Sequence, residues 1–263
     1  MKKIALLVLA APLVLAACGG GHQAGTKLDP LAYVKQSAKK TASIPTEHMV
    51  MTGTVAAGPT KITMNGSGDF ATATKRGQMS LSMNLAGRTF AVNEVIDGLT
   101  IYMQSPLFSG QLPSGKTWMK LDLQKVGSKL GLNYSSLMSQ SPAQALQQLE
   151  AAGSVSNKGT ETIDGVATTH YQLTNIDISK LPQGAKLEAL AHPQYGPLDV
   201  WIGNADGYVY RESLSFTYAV SGQSASMSMR VDLSKFGEKV NVTVPPASAV
   251  LDATNLMQGG LGG

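Results

Sequence analysis

Apolar and polar residues alternate over long stretches of this 263-residue chain. The segment from Met79 to Leu85 reads Met-Ser-Leu-Ser-Met-Asn-Leu, and the segment from Ala225 to Leu233 repeats the pattern. A period of two places the apolar side chains on one face of a β-strand. Asp-Gly pairs at 97–98, 164–165 and 206–207 favour tight hairpin turns between such segments. The pattern predicts an antiparallel sheet with one apolar face.

The order of the predicted elements indicates the fold class. Strands are predicted at 47–55, 62–70, 79–85, 88–96, 99–103, 116–121, 155–163, 166–175, 198–202, 208–220, 225–233 and 241–244. Helices are predicted at 30–42 with Asp29 as N-cap, at 122–130, at 141–153 and at 178–191. These helices fall into clusters and do not alternate with the strands. We therefore expect one α+β domain of about ten antiparallel strands, with helices on one face of a bent sheet.

The N-terminal residues predict export and a lipid anchor. Lys2 and Lys3 precede the apolar segment 4–15, which is too short for a membrane span. Leu15-Ala16-Ala17-Cys18 follows, and it resembles the lipobox of bacterial lipoproteins, in which the cysteine thiol receives acyl chains. The expected parts are a signal peptide (1–17), a lipidated Cys18 with a flexible leash (18–28), a domain (29–252) and a disordered Gly-rich tail (253–263). A free thiol or an intermolecular disulfide is the alternative for Cys18.

Composition and motifs disfavour several classes of function. Cleavage would remove two of the 21 Lys and Arg residues, leaving the rest nearly balanced by 17 Asp and Glu, which is not the charge of a nucleic-acid-binding protein. Gly110 to Thr117 matches the phosphate-loop formula, but a strand pattern follows where a helix is required. The four histidines lack the spacing of metal ligands, and 204–207 resembles a turn more than a calcium loop. We expect no enzymatic activity, no metal and no cofactor.

The apolar face of the predicted sheet is the candidate binding site. Methionine is plentiful, and its flexible, polarisable side chain suits surfaces that accept ligands of varied shape. If sheet and helices do not close tightly, an apolar cavity for acyl chains remains between them; if they do, the same residues form an ordinary core. The predicted lining residues are Met49, Met51, Met64, Met83, Leu85, Leu214, Phe216, Met227 and Met229.

The chain as a whole resembles the actinobacterial lipid-carrier lipoproteins of the LppX/LprG group. The resemblance rests on the lipobox, the leash, the order of elements and the segments Asp164-Gly165-Val166-Ala-Thr-Thr-His170-Tyr171, Asp199-Val-Trp201-Ile202, Asp206-Gly207-Tyr208-Val-Tyr-Arg211 and Val242-Thr-Val-Pro-Pro246. It implies a strongly bent antiparallel β-sheet, a half-barrel, with helices over the concave face and an apolar cavity between. Similar folds occur in lipoprotein carriers of the LolA/LolB type.

The same resemblance implies a function. We expect an envelope lipoprotein on the outer side of the cell membrane that carries di- or triacylated lipids or glycolipids across the envelope, with an inner-membrane exporter as a partner. The alternative is a non-enzymatic interaction or sensor lipoprotein with a filled core.

Overall fold

The computed structural model describes residues 29–108, 110, 112–129, 152–176, 194–220 and 223–254. The predicted signal peptide, Cys18, the leash, the helix at 178–191 and residues 141–151 of the other central helix lie outside this range, as does the tail beyond 254. No helix within the described residues is long and apolar enough to cross a membrane.

The described elements are two α-helices and twelve strands. In chain order they are α1 (Pro30–Ala42), β1 (Thr46–Ala57), β2 (Thr60–Ala71), β3 (Arg76–Leu85), β4 (Arg88–Asp97), β5 (Thr100–Gln104), β6 (Trp118–Asp122), α2 (Leu123–Lys129), β7 (Ala152–Ile163), β8 (Val166–Ile176), β9 (Gln194–Gly203), β10 (Val209–Val220), β11 (Gln223–Ser234) and β12 (Val250–Asp252).

All twelve strands form one open sheet in the order β12-β6-β5-β4-β3-β2-β1-β11-β10-β9-β8-β7. Every pairing is antiparallel except that of β12 with β6. Consecutive strands pair with each other from β1 to β6 and from β7 to β11, and β1 pairs with β11 at the centre. The predicted antiparallel sheet is confirmed, and a single uninterrupted sheet of this kind fits a bent half-barrel.

Short capping and turn motifs in the sequence predicted the positions of several elements to within one residue. Helix α1 begins and ends where predicted, and the Asp29 carboxylate accepts a hydrogen bond from the Ala32 amide. The turn between β7 and β8 consists of Asp164 and Gly165, both at positive φ, as a type I′ hairpin requires. In the β4–β5 hairpin Asp97 pairs with Thr100, so the turn is Gly98-Leu99, one residue later than predicted.

Within the described residues the sheet has twelve strands, where about ten were expected. Two further predictions are wrong. Gly153 lies inside β7, where it was expected to end a helix. Residues 241–244 form no strand, because this segment runs from the centre of the sheet towards its edge. It leaves β11 where the Gly237 amide bonds to the Thr46 carbonyl, and it reaches β6 where the Thr117 amide bonds to the Ala249 carbonyl. The chain then forms β12 beside β6.

The best-buried part of the core lies under α1. Val34 and Ala38 of α1 pack in one cluster with Leu173, Val200 and Ile202 of β8 and β9, all of them at most 1% exposed. The Thr41 hydroxyl attaches the helix to the sheet, since it donates to the Ser37 carbonyl and accepts from the Val209 amide at 2.8 Å. One end of the sheet is therefore tightly covered.

Candidate functional site: the methionine face of the sheet

The strand register brings all nine predicted lining residues to one face of the sheet, here called the methionine face. Residues directly opposite each other in adjacent antiparallel strands project to the same side. One row across β3, β2, β1, β11 and β10 consists of Met83, Met64, Gly53, Met229 and Leu214. The next row consists of Leu85, Ile62, Val55, Met227 and Phe216. Met49 and Met51 share this face on β1, two and four residues before Gly53.

The methionine face is covered unevenly. Away from the two rows, Met79 and Leu233 are buried, with 9% and 2% of their surface exposed. None of the nine lining residues is fully buried, and Leu85 is 39% exposed. The rows of large apolar side chains therefore remain in contact with solvent, in contrast to the cluster under α1. Contiguous apolar surface that solvent can reach is typical of binding sites.

Two glycines on this face lie beside large side chains, which occupy the space that a glycine Cβ would need. Gly66 lies opposite Leu81, and a Cβ built on Gly66 would be 2.4 Å from Leu81 Cδ2. Gly77 lies opposite Phe70, and its Cβ would be 2.4 Å from Phe70 Cδ1. The absent side chains let Leu81 and Phe70 lie flat over the neighbouring strand.

Three glutamates interrupt the methionine face, and the sequence analysis missed them. Glu47, Glu94 and Glu212 occupy positions on β1, β4 and β10 whose strand neighbours on the same face are mostly apolar. Burial raises the pKa of all three, to about 7 for Glu47 and about 8 for Glu212, where the charge of Glu47 contributes as well. The available signal was a carboxyl at an apolar position of the alternating pattern, as in Phe90-x-Val92-x-Glu94-x-Ile96.

The opposite face of the sheet carries a Ser-His-Asp arrangement. His48 Nδ1 lies 2.6 Å from Asp69 Oδ1, and Ser67 Oγ lies 3.1 Å from His48 Nε2, in a cleft of about 500 Å³ that Thr243 also borders. This connectivity is that of a hydrolase triad. A triad also needs free donors for an oxyanion, but Ser67 lies within β2, between two paired strands. The arrangement fits a surface hydrogen-bond network better than an active site.

In the histidine, phosphate-loop-like and calcium-loop-like segments of the sequence, polar side chains make contacts within the fold. His170 stacks on Trp201 with ring centroids 4.2 Å apart, and its nitrogens lie 3.2 Å from Glu161 and 2.7 Å from Asp199. The Lys116 ammonium of the phosphate-loop-like segment donates to the Ser248 carbonyl at 2.9 Å. Asp206 accepts from the Tyr208 amide and the Tyr210 hydroxyl, which makes its segment a turn. Within the described part of the chain, no cluster of three or more acidic, His or Cys side chains has the arrangement of a metal site.

Comparison with known sequences gives one distant relative. No protein-family model matches the chain. An uncharacterized 31.2 kDa protein of Streptomyces griseus is 26% identical over 161 residues, which cover 56% of this chain and 51% of that protein. The chain thus spans about half the length of the curated relative it matches.

Comparison with solved structures identifies the fold. The lipoprotein LppX of Mycobacterium tuberculosis is similar over 81% of this chain and 97% of its own, at 18% identity and a TM-score of 0.50. LprF of Mycobacterium bovis is similar over 83% of this chain and 97% of its own, at 16% identity and a TM-score of 0.48. The resemblance inferred from the sequence is confirmed at the level of the fold: the chain has the fold of the LppX-type lipoproteins.

Proposed function

We propose that this protein is an envelope lipoprotein that binds acylated lipids on the methionine face and carries them across the envelope. The observation that carries the proposal is the pair of apolar rows from Met83 to Leu214 and from Leu85 to Phe216, which share one face and stay accessible. An acyl chain laid along these rows would remove apolar surface from water, at roughly 0.8 kcal/mol for each buried methylene.

The character of the face favours acyl chains over a rigid ligand. Met64, Met83, Met227 and Met229 have unbranched side chains that adapt to different neighbours. Because the contacts are non-directional, we expect tolerance of chain length and gradual weakening when single residues are changed.

We propose in addition that the protein is anchored at the outer side of the cell membrane. The segment before Cys18 has the order of a lipoprotein signal, and the fold is that of a protein named as a lipoprotein. Acyl chains on Cys18 would hold the domain at the outer side of the cell membrane, since two or more chains anchor a protein stably. An inner-membrane exporter is the expected source of the cargo.

Native mass spectrometry with lipid extraction tests the proposal. The full chain carrying Cys18→Ser is produced in an actinobacterial host, so that any lipid found is non-covalent cargo. A discrete added mass that resolves to di- or triacylated species supports carriage. A folded sample without added mass, unchanged after incubation with envelope lipids, would contradict it and favour the interaction module with a filled core.

A further inference from the structure

Glu212 is a carboxyl on the methionine face whose own hydrogen bonding is incomplete. Its cross-strand neighbours are Val200 on β9 and Val231 on β11, and Leu214 follows it on the same face. The residue is partly exposed, but its Oε1 atom is inaccessible to solvent and has no hydrogen-bond partner among the described residues. Buried polar atoms in folded proteins nearly always have a partner, so this atom calls for one that the described part of the chain does not supply.

The surroundings of Glu212 keep the carboxyl uncharged. Burial raises its pKa to about 8, and the titratable group that acts on it is Glu47, which raises it further. Helix α1, which contacts β9 and β10, directs Val34, Ser37, Ala38 and Thr41 inwards, none of which titrates near neutral pH. Near pH 7 most Glu212 side chains are therefore carboxylic acids. A carboxylic acid has an O–H donor that a carboxylate lacks.

A neutral donor among apolar residues selects a neutral acceptor. A fatty-acid carboxylate would bring an uncompensated charge among apolar residues, at a high desolvation cost. A cation would require both carboxyls to ionise, and the described residues contain no metal-ligating cluster. An ester carbonyl accepts a hydrogen bond, carries no charge and lies next to acyl chains in an acylated lipid.

We propose that Glu212 donates a hydrogen bond to an ester carbonyl of the bound lipid, and that it thereby distinguishes ester-linked from ether-linked chains. This inference rests on the proposed lipid-binding function. It adds a polar specificity element to a face that otherwise binds through apolar contact. Glu47, on the same face, favours the uncharged form of Glu212 and so acts as a positioning residue.

Two matched probes test the inference: dipalmitoylglycerol and its dihexadecyl ether analogue, which differ in the two carbonyl groups. The full chain with Cys18→Ser is equilibrated with each probe in detergent micelles, and bound lipid is measured by native mass spectrometry. At about pH 6 we expect the protein with Glu212 unchanged to bind the ester probe about tenfold more tightly than the ether probe. Such a ratio corresponds to about one hydrogen bond. At about pH 10 Glu212 is ionised and the preference is lost.

Three variants separate the role of Glu212 from general damage. Glu212→Gln keeps an N–H donor and should retain the preference at both pH values, whereas Glu212→Leu should bind both probes equally. Glu238→Gln changes an exposed glutamate and should behave as the wild type.

Equal binding of the two probes by the wild type at about pH 6 overturns the inference and leaves the carrier function standing, even if Glu212→Leu does not fold. A preference that survives in folded Glu212→Leu also overturns it. If the wild type binds neither probe, the proposed function itself fails.

Discussion

Glu47 on β1 and Glu212 on β10 lie on the same face of the sheet with β11 between them, and the charge of Glu47 raises the pKa of Glu212. Both carboxyls are held among apolar residues, so the folded protein favours their protonated forms. The unfolded chain ionises them near pH 4.5.

This difference predicts how stability depends on pH. Below pH 4.5 both groups are protonated in the folded and the unfolded state, so they do not change stability. Between pH 4.5 and about 7 only the unfolded state ionises, and the free energy of unfolding falls until the folded state also ionises, near pH 7 at Glu47 and near pH 8 at Glu212. We expect Glu212→Gln to stabilise the domain by up to about 4 kcal/mol at pH 8 and to have little effect at pH 4. Urea unfolding at both pH values measures this. An equal effect of the substitution at pH 4 and pH 8 would contradict it.

Charged substitutions on the two faces should have opposite consequences for lipid binding. Met83→Arg and Phe216→Arg place a cation on the methionine face, where an acyl chain cannot solvate it. We expect each folded variant to lose co-purified lipid. Ser82→Arg and Thr217→Arg, on the same strands but the other face, are exposed controls that should keep it. A folded Met83→Arg or Phe216→Arg protein that retains its lipid would show that this face does not bind cargo.

Two glycines on β2 should differ in their tolerance of alanine. A Cβ on Gly68 would lie 2.3 Å from the Gln78 carbonyl oxygen, which belongs to the backbone of β3. A Cβ on Gly66 would meet Leu81 Cδ2, the end of a side chain that can rotate away. We expect Gly68→Ala to destabilise the domain by about 1–3 kcal/mol and Gly66→Ala by less. Thermal unfolding decides the order, and the reverse order would refute the packing described for these strands.

The link between α1 and β10 depends on one hydroxyl. Thr41 Oγ1 donates to Ser37 O at 2.9 Å and accepts from Val209 N at 2.8 Å in a fully buried position. Thr41→Val removes both bonds at nearly constant volume and should cost about 1–3 kcal/mol because the Val209 amide loses its partner. Thr41→Ser keeps the hydroxyl and should cost less. Equal losses in the two variants, measured by chemical denaturation, would mean that the methyl group and not the hydroxyl is important.

The Ser67-His48-Asp69 network should be chemically inert. Ser67 lies in a regular strand, so no strained turn exposes its hydroxyl and no free amide is placed beside it. A fluorophosphonate probe should therefore label the wild type no more than Ser67→Ala. Labelling that disappears in Ser67→Ala and in His48→Ala would instead identify a serine hydrolase.

Residues close in sequence made several features predictable. The Asp29 cap and the Pro at the first position locate α1, and Asp164-Gly165 locates a hairpin turn, because each depends on backbone conformation within a few residues. The alternation of Met79 to Leu85 likewise predicts which side chains share a face. Strand β12 could not be predicted in this way, since its three residues pair with β6, more than a hundred positions earlier.

The sequence by itself determined most of the strands, the apolar face and the resemblance to LppX-type lipoproteins, because periodicity and turn residues act locally. Only the tertiary structure decided that β1 pairs with β11, which aligns Met64 and Met83 of one half with Met229 and Leu214 of the other. It also decided that the Oε1 atom of Glu212 is buried with no partner among the described residues while Leu85 stays exposed. Burial depends on which distant segments cover a residue, and a pattern of alternating side chains does not contain that information.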